Sequence, residues 1–468
     1  MNELINPTRH ATIKPMKKRP NILFLMCDQH RFDFTGYEGH VTRTPTLDWL
    51  ADTGAHFTNG YTPSPVCVPG RQAMMSGQLP RTCKCETFHG DLTPGYMTFA
   101  KRFSQHAYQT TCCGKLHHNG VDQMQGWRSR SGEEVHISPL NIEGRIEEEF
   151  AQNQFPKADY GPIQSAQRGG KGDNPCEMVD AYTTQGALNF IKLFYQNPQV
   201  PATGQPPLLL KVSLIAPHDP YVTNSDSYEY YHENVKPFPA EDPLPEIVGW
   251  LKPFDEEQVT PEQRRSAMAG YCGMIEECDK QFKQVIDALE AAGQDLDDWI
   301  IVYTSDHGEL MGQHNLWWKF NFFEASARVP LLIRAPKWFD GGIKVDQNVN
   351  ICDLFATLCE MAEIETPAGL DSRSLLPLMH GNSKDWNNES ISEIGGTLMI
   401  KQDDLKYIYY PETETEILFD LAADPNETKN FIADPAYADA IQAFHKRRAE
   451  LAFGPDADPN YVNAGYNA

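Results

Sequence analysis

Four short, almost wholly apolar runs, far apart in the chain, constrain the fold most. They are Asn21–Cys27 (NILFLMC), Leu208–Ala216 (LLLKVSLIA), Trp299–Ser305 (WIIVYTS) and Val329–Ala335 (VPLLIRA). Runs of this length with so few polar members are buried on both faces, as the strands of a parallel sheet are. Helical patterns lie between them. Thr46–Thr53 reads as a helix start, with Leu47, Asp48 and Leu50 set for an amphipathic turn. Tyr271–Ala292 is the clearest helix. Its Tyr271, Ile275, Cys278, Phe282, Val285, Ile286 and Leu289 recur at spacings of three and four, and Gly293 stops it. Strand–helix alternation predicts an α/β fold: a large, mostly parallel central sheet with helices on both faces.

Two stretches break this pattern. Asn119–Pro175 is polar, Gly-rich and aperiodic, and contains RSRSGEE and QRGGKGDNP. A segment this long inside a compact domain is more often an active-site wall or lid than a spacer. Tyr228–Pro261 is similar, rich in Tyr, Pro and acids. Past about Asp371 the pattern changes again. Leu398–Tyr410 (LMIKQDDLKYIYY) and Glu416–Leu421 (EILFDL) read as a hairpin-like antiparallel element, and a polar helix follows over roughly Ala436–Leu451. The expected division is an N-terminal extension over 1–19, an α/β domain over 20–370, and a smaller C-terminal subdomain with an antiparallel sheet over 371–468.

Charge narrows the function. The chain has 468 residues, and 64 Asp+Glu against 40 Lys+Arg leave a net charge of −24. A general nucleic-acid binder needs a basic face, and an anionic membrane surface would repel this chain. An anionic substrate remains open if basic residues gather in one pocket. No apolar run reaches the length that spans a bilayer, about 18 residues. The first 20 residues lack the apolar core of a secretory signal, so the expectation is a cytoplasmic protein, or a secreted or periplasmic one whose signal has been removed. The 11 cysteines are read as reduced, mostly buried thiols.

In an open α/β sheet, ligands bind beyond the carboxyl ends of the strands. Here the first run is followed by Asp28-Gln29, the second by His218-Asp219, and the third by Asp306-His307-Gly308-Glu309. A lone Asp after a strand is usually a helix cap. Three such deliveries to one rim favour a site. Carboxylates, an amide oxygen and an imidazole suit a divalent cation, with oxygen donors pointing to Ca²⁺ or Mg²⁺. Cys67, in Pro65-Val66-Cys67-Val68-Pro69-Gly70-Arg71, stands ahead of a helix over Gln72–Ser76. A helix start beside arginine acidifies a thiol; a buried structural cysteine is the plain alternative. Lys115, in Gly114-Lys115-Leu116-His117-His118, and Lys319, after Trp317-Trp318, read singly as surface charges.

Taken together these motifs resemble a known family. Cys67-x-Pro69-x-Arg71 followed by MMSGQLP is similar to the type I sulfatase signature of the alkaline phosphatase superfamily. Gly114-Lys115-Leu116-His117 resembles the second family signature. Asp306-His307-Gly308-Glu309, Trp318-Lys319 with Phe322-Phe323-Glu324, and the late ILFDLAADPNETKNF also resemble family motifs, in order from about Pro20 to Phe431. The resemblance implies that Cys67 is oxidised to formylglycine by a maturation enzyme. It implies a metal shell of Asp28, Gln29, Asp306, His307 and an oxygen of modified Cys67, holding Ca²⁺, or else Mg²⁺ or Mn²⁺. Arg71 would hold the formylglycine, and Lys115, His117, His218 and Lys319 would surround the sulfate. Gln29 and His307 stand where many members carry a second Asp and an Asn. In this they resemble the choline sulfatase and phosphonate monoester hydrolase branches, which keeps a phosphonate monoester or phosphodiester hydrolase as the alternative.

The resemblance carries a chemistry. Lysines, His218 and a cation offset the charge of the substrate. A hydrated aldehyde supplies one hydroxyl for attack and a second that expels sulfate, with His117 the candidate base, while His218 or Lys319 protonates the leaving oxygen. The substrate expected is a sulfated small molecule or oligosaccharide, most of all a carbohydrate sulfate from a glycosaminoglycan such as chondroitin or dermatan sulfate, or from an algal polysaccharide. Trp127, Arg128 and Arg130, with His136, Arg145, Arg168 and Lys171 of the same insertion, are candidate lining for a sulfated, uronate-containing sugar. His89 is a further candidate. No nucleic-acid or membrane partner is expected.

Overall fold

The computed structural model describes residues 19–133, 161–196, 204–239 and 258–453. Its centre is an eight-stranded sheet. The strands are β1 (Asn21–Cys27), β2 (Ala55–Tyr61), β3 (Gln109–Gly114), β4 (Ser129–Glu133), β6 (Leu208–Ser213), β8 (Trp299–Ser305), β9 (Leu331–Arg334) and β10 (Ile343–Asn350), in the order β10-β2-β9-β8-β1-β6-β3-β4. Two-residue strands β5 (Gly170–Lys171) and β7 (Val222–Thr223) pair beside it. In the core of the sheet β8, β1, β6 and β3 are mutually parallel neighbours. Their carboxyl ends therefore lie along one edge, and the polar residues that follow each strand gather there.

The alternation of side chains in β1 shows why both faces are covered. Ile22, Phe24 and Met26 enter one apolar cluster with helical Met74, Phe99 and Leu354. Leu23, Leu25 and Cys27 enter another with Leu47, Ile191, Met274 and Phe282. A strand buried on both faces needs apolar residues at every position, which is what NILFLMC supplies.

The run at Val329–Ala335 forms a strand only over Leu331–Arg334, and that strand is antiparallel to both neighbours, β8 and β2. An apolar run reports burial and carries no sign of direction, so this run, read as one more parallel strand, is the antiparallel member of a sheet that is mostly parallel, as expected. The helix expected over Tyr271–Ala292 begins ten residues earlier and spans Pro261–Ala291. Its start is a capping box: Thr260 accepts from Gln263 N, and the Gln263 side chain returns to Thr260 N. The helix Pro175–Tyr195 has no counterpart in the sequence pattern. Asn174 caps it by accepting from Cys176 N at 2.8 Å. Within the segment expected to be aperiodic lie β4, the helix Pro162–Gln167 and β5.

The C-terminal element is larger than a hairpin. Strands β11 (Glu389–Ile394), β12 (Thr397–Gln402), β13 (Leu405–Tyr410) and β14 (Thr415–Asp420) form a four-stranded antiparallel sheet. One face packs Met399, Ile408 and Phe419 against Tyr61, Leu316 and Phe322. The other packs Leu398, Tyr407 and Leu418 against Phe444 of the helix Ala438–Glu450. No helix among the described residues is long and apolar enough to cross a membrane.

Candidate active site

The edge formed by the four parallel strands carries the site. β1 leads into Asp28 and Gln29, with Gln29 in the left-handed region at φ 66°. β8 leads into Asp306 and His307. β3 ends at Gly114, φ 77°, where an added Cβ would meet Ser213 O at 2.2 Å. Only glycine fits such a turn, and it delivers Lys115, whose N–H donates to Ser213 O at 2.8 Å. The fourth side comes from the helix Cys67–Ser76, which places Cys67 in its first turn and Arg71 one turn on. A Cβ on Gly70 would lie 2.8 Å from Ser64 O and 3.2 Å from Asp306 O, so the helix approaches the strand ends backbone to backbone.

Arg71 is fully buried and joins the two acids. Its Nε donates to Asp306 Oδ2 at 2.6 Å and its Nη2 to Asp28 Oδ2 at 2.9 Å. Its Nη1 donates to Lys115 O at 2.9 Å and Ser213 Oγ at 3.0 Å. One oxygen of each carboxylate is thus committed to arginine. The other, Oδ1, faces the imidazole: His307 Nε2 is 3.8 Å from Asp28 Oδ1 and 3.8 Å from Asp306 Oδ1. The Cys67 sulfur lies 3.1 Å from His307 Nε2 and 3.7 Å from Asp28 Oδ1. Donor atoms of Asp28, Cys67, Asp306 and His307 all fall within 4.8 Å of one another, and all four residues are buried.

The electrostatics keep these donors in ligand form. Burial alone would raise the Asp28 carboxyl, but Lys115 and then Arg71 outweigh it and hold it well below the usual carboxylate range. Burial lowers His307 against the pull of Asp306, so the ring is neutral. Its Nδ1 lies 3.0 Å from Gly308 O, which assigns the proton to Nδ1 and leaves the Nε2 lone pair facing the cluster. Two carboxylates and a neutral imidazole converge with residue 67, a donor set that fits a divalent cation.

A second group borders the first. Lys115 Nζ contacts Asp28 Oδ2 at 2.9 Å. Burial opposes its charge, but Asp28 and then Cys67 raise it above the usual lysine range. Lys319 Nζ donates to Gln29 Oε1 and lies 2.9 Å from His218 Nε2. His218 Nδ1 faces Asp219 O at 2.9 Å, so its Nε2 accepts from the lysine. Gln29 Nε2 donates to Glu309 Oε2 and, at 3.4 Å, to Asp219 Oδ1. Burial pushes the Glu309 carboxyl up to about 7.

Other expected residues fall elsewhere. Trp127 is 3% exposed and packs edge-on against Phe99 in the apolar core, so it does not line a sugar site. Its indole is large and apolar, and β4 begins two residues on at Ser129, so it lies in the core cluster beside the sheet. Arg128 is exposed, and its N–H donates to Thr110 O at the amino end of the β3–β4 pair, away from the strand carboxyl ends. Arg130 lies nearer, with Nη2 donating to Gly114 O at 3.2 Å. His89 is exposed, its ring edge-on to Phe88, which in turn meets His117. The His117 carbonyl accepts from Gln72 of the helix Cys67–Ser76 at 3.2 Å. Arg168 is exposed, and Lys171 pairs with Glu229 at 3.5 Å. His136 and Arg145 lie outside the described residues.

Several participants carried no assigned role. Asp219 and Glu309 stood in the strand-end strings, and their neighbours were the signal. Asp180, on the unassigned helix Pro175–Tyr195, accepts from Ile215 N at 2.6 Å and Ala216 N at 2.8 Å, and so fixes the turn that presents His218.

The family model described as Sulfatase matches residues 20–364, and that described as N-sulphoglucosamine sulphohydrolase, C-terminal, matches residues 312–453. Choline-sulfatase of Rhizobium meliloti (strain 1021) is 28% identical over 436 residues, covering 89% of this chain and 83% of that protein. Arylsulfatase K of Bos taurus is 28% identical over 465 residues, covering 91% and 80%. Among solved structures, BT4656 in complex with its substrate D-glucosamine-2-N,6-O-disulfate superposes with a TM-score of 0.74 at 20% identity, covering 93% of this chain and 97% of that one. The phosphonate monoester hydrolase of Agrobacterium radiobacter gives 0.72 at 21% identity, covering 92% and 95%. The Sulfatase match spans the residues that build the strand-end site, and the chain belongs to the sulfatase family, as a hydrolase of sulfuric esters.

Proposed function

We propose that the protein hydrolyses a carbohydrate sulfate with formylglycine at position 67 and one divalent cation, Ca²⁺ first. The observation that carries this reading is the convergence of Asp28, Cys67, Asp306 and His307, with Lys115 and the Lys319–His218 pair alongside. The thiol of Cys67 stands in for the hydroxyls of a hydrated aldehyde. Such a diol supplies an attacking oxygen and a second hydroxyl through which sulfate can leave. A cation held by Asp28, Asp306, His307 and residue 67 would polarise that oxygen and offset substrate charge. Gln29, whose amide oxygen accepts from Lys319, is a shared rather than a dedicated ligand.

The remaining roles fall to the chain's own groups. Arg71 holds both aspartates and so fixes the spacing of the donors. Lys115 presents a charge to a non-bridging sulfate oxygen. Lys319, or His218 through the proton it accepts from Lys319, protonates the departing oxygen. His117 is kept as the base for the second half-reaction. The unit that performs this work is residues 20–370, and the described part of the subdomain over 371–468, as far as Phe453, packs on it.

The second reading, a phosphonate monoester or phosphodiester hydrolase, is favoured by Gln29 and His307, which lower the negative charge around the cation. The test is turnover of aryl sulfate, phosphodiester and phosphonate monoester by protein with measured formylglycine content, followed by a panel of sulfated oligosaccharides. Preference for sulfate esters supports the first reading. Preference for phosphonate or phosphodiester overturns it.

A further inference from the structure

Lys319 sits on a loop held in an unfavourable conformation. Its neighbours Trp318 and Phe320 both have positive φ, 73° and 76°. Bulky aromatic residues avoid this region, and such backbone persists only where surrounding contacts over-determine it. On the upstream side, Trp318 N donates to Glu309 Oε1 at 2.9 Å, and Leu310 N donates to Trp318 O at 2.8 Å. Phe320 N donates to Pro65 O at 3.1 Å, two residues before Cys67. The downstream side is held by the C-terminal sheet. Lys406 of β13 donates to Phe322 O at 2.8 Å and to Glu427 Oε1 at 2.7 Å, and pairs with Glu324 Oε1 at 2.5 Å. Glu427 Oε2 accepts from Glu324 N at 2.7 Å, and Tyr61 OH donates to Glu324. Lys406 and Glu427 are both 0% exposed.

A buried lysine with two glutamates is a poor way to gain stability, because desolvation offsets the attraction and an apolar trio of similar volume serves as well or better. What charged groups add is a single allowed register between the surfaces they join. Here those surfaces are the C-terminal sheet and the loop that ends five residues after Lys319.

We infer that Lys406 and Glu427 are positioning residues for Lys319, so that the C-terminal sheet holds the proton donor of the active site in place. This rests on the proposed role of Lys319 as the source of the leaving-group proton.

The experiment compares two substrates, an alkyl sulfate with a basic leaving oxygen and 4-nitrophenyl sulfate, whose leaving group needs little protonation. Lys319→Ala sets the reference, with a larger loss of kcat on the alkyl sulfate. The variant Lys406→Met/Glu324→Gln/Glu427→Gln neutralises the network and is expected to keep its Tm. Its kcat on the alkyl sulfate falls on the order of 10–100-fold, with KM little changed and a clearly smaller loss on the nitrophenyl ester. A folded variant with equal losses on both substrates, or with no loss, overturns the inference while the Lys319→Ala pattern stands. If the triple variant does not fold, Glu427→Gln is read by the same ratio: a selective loss on the alkyl sulfate supports the inference and an unchanged ratio overturns it. If Lys319→Ala itself shows no selectivity, the role of Lys319 fails, and the inference with it.

Discussion

His307 Nε2 stands 3.1 Å from the Cys67 sulfur, while its Nδ1 is 3.0 Å from the carbonyl of its own neighbour, Gly308. The backbone contact fixes the tautomer, and the tautomer aims a lone pair at residue 67. A member carrying asparagine here would offer an amide oxygen instead. The imidazole brings a neutral, more polarisable donor beside two carboxylates that Arg71 already shares.

On the proposed reading, position 67 works in oxidised form. In active preparations, mass spectrometry of the peptide containing Cys67 will show an aldehyde in place of the thiol, and turnover will scale with that fraction. Cys67→Ala will lose activity by several orders of magnitude. Full turnover by protein holding only the thiol would sink this reading.

Metal removal will abolish turnover and lower the Tm together. Asp28, Asp306 and His307 are buried with converging donor atoms, and a cation that binds only the folded state adds stability with concentration, about 3 kcal/mol at a hundredfold excess over Kd. Chelation, elemental analysis and Ca²⁺ add-back, followed by activity and thermal denaturation, provide the check. Undiminished turnover in demonstrably metal-free protein would refute it.

Arg71→Met will destabilise the fold by about 3–5 kcal/mol, because it leaves the buried Asp28 and Asp306 carboxylates without their shared partner. Denaturant titration reads this directly. A cost below about 1 kcal/mol would place the arginine among surface-like pairs.

Lys115→Ala will lower sulfate-ester turnover by about 10²–10³, or on the order of 2–4 kcal/mol, and any phosphodiester side activity by less. A phosphodiester carries an ester arm where the lysine would meet a sulfate oxygen. Equal large losses on both substrates would leave the lysine catalytic but remove the reason for ranking sulfate first.

Glu393 gives the stability a pH slope far from the site. Burial pushes its carboxyl up to about 8, against the N–H of Arg81, which donates to it at 3.0 Å, and the Arg81 charge. Between roughly pH 4.5 and 8 the folded state keeps a proton that the unfolded state has lost. This group's contribution therefore falls as pH rises through that window. Unfolding free energies at pH 5.5 and 8.5 will differ less in Glu393→Gln than in the wild type, by roughly 1–3 kcal/mol. Identical differences in the two proteins would show that the carboxyl is ionised throughout.

The sequence alone determined which residues form the rim. Apolar runs mark strands buried on both faces, and in an open sheet the polar residues after such strands fall at one edge, so Asp28, His218, Asp306 and His307 could be read off. The Cys67 and Lys115 motifs added their neighbours. Three things were decided only by the tertiary structure. The direction of β9 shows only in its antiparallel pairing with β8 and β2, since an apolar run is the same read either way. Trp127 joined the core because packing beside Phe99 buries its indole, although its flanking arginines had suggested a sugar wall. The contacts of Lys406 with Glu324 and Glu427 span 82 and 21 residues, and each residue read singly is an ordinary surface charge. Hydropathy patterns report how much water a segment avoids. Which buried charge meets which is set by the packing of separate sheets, and no local spacing encodes it.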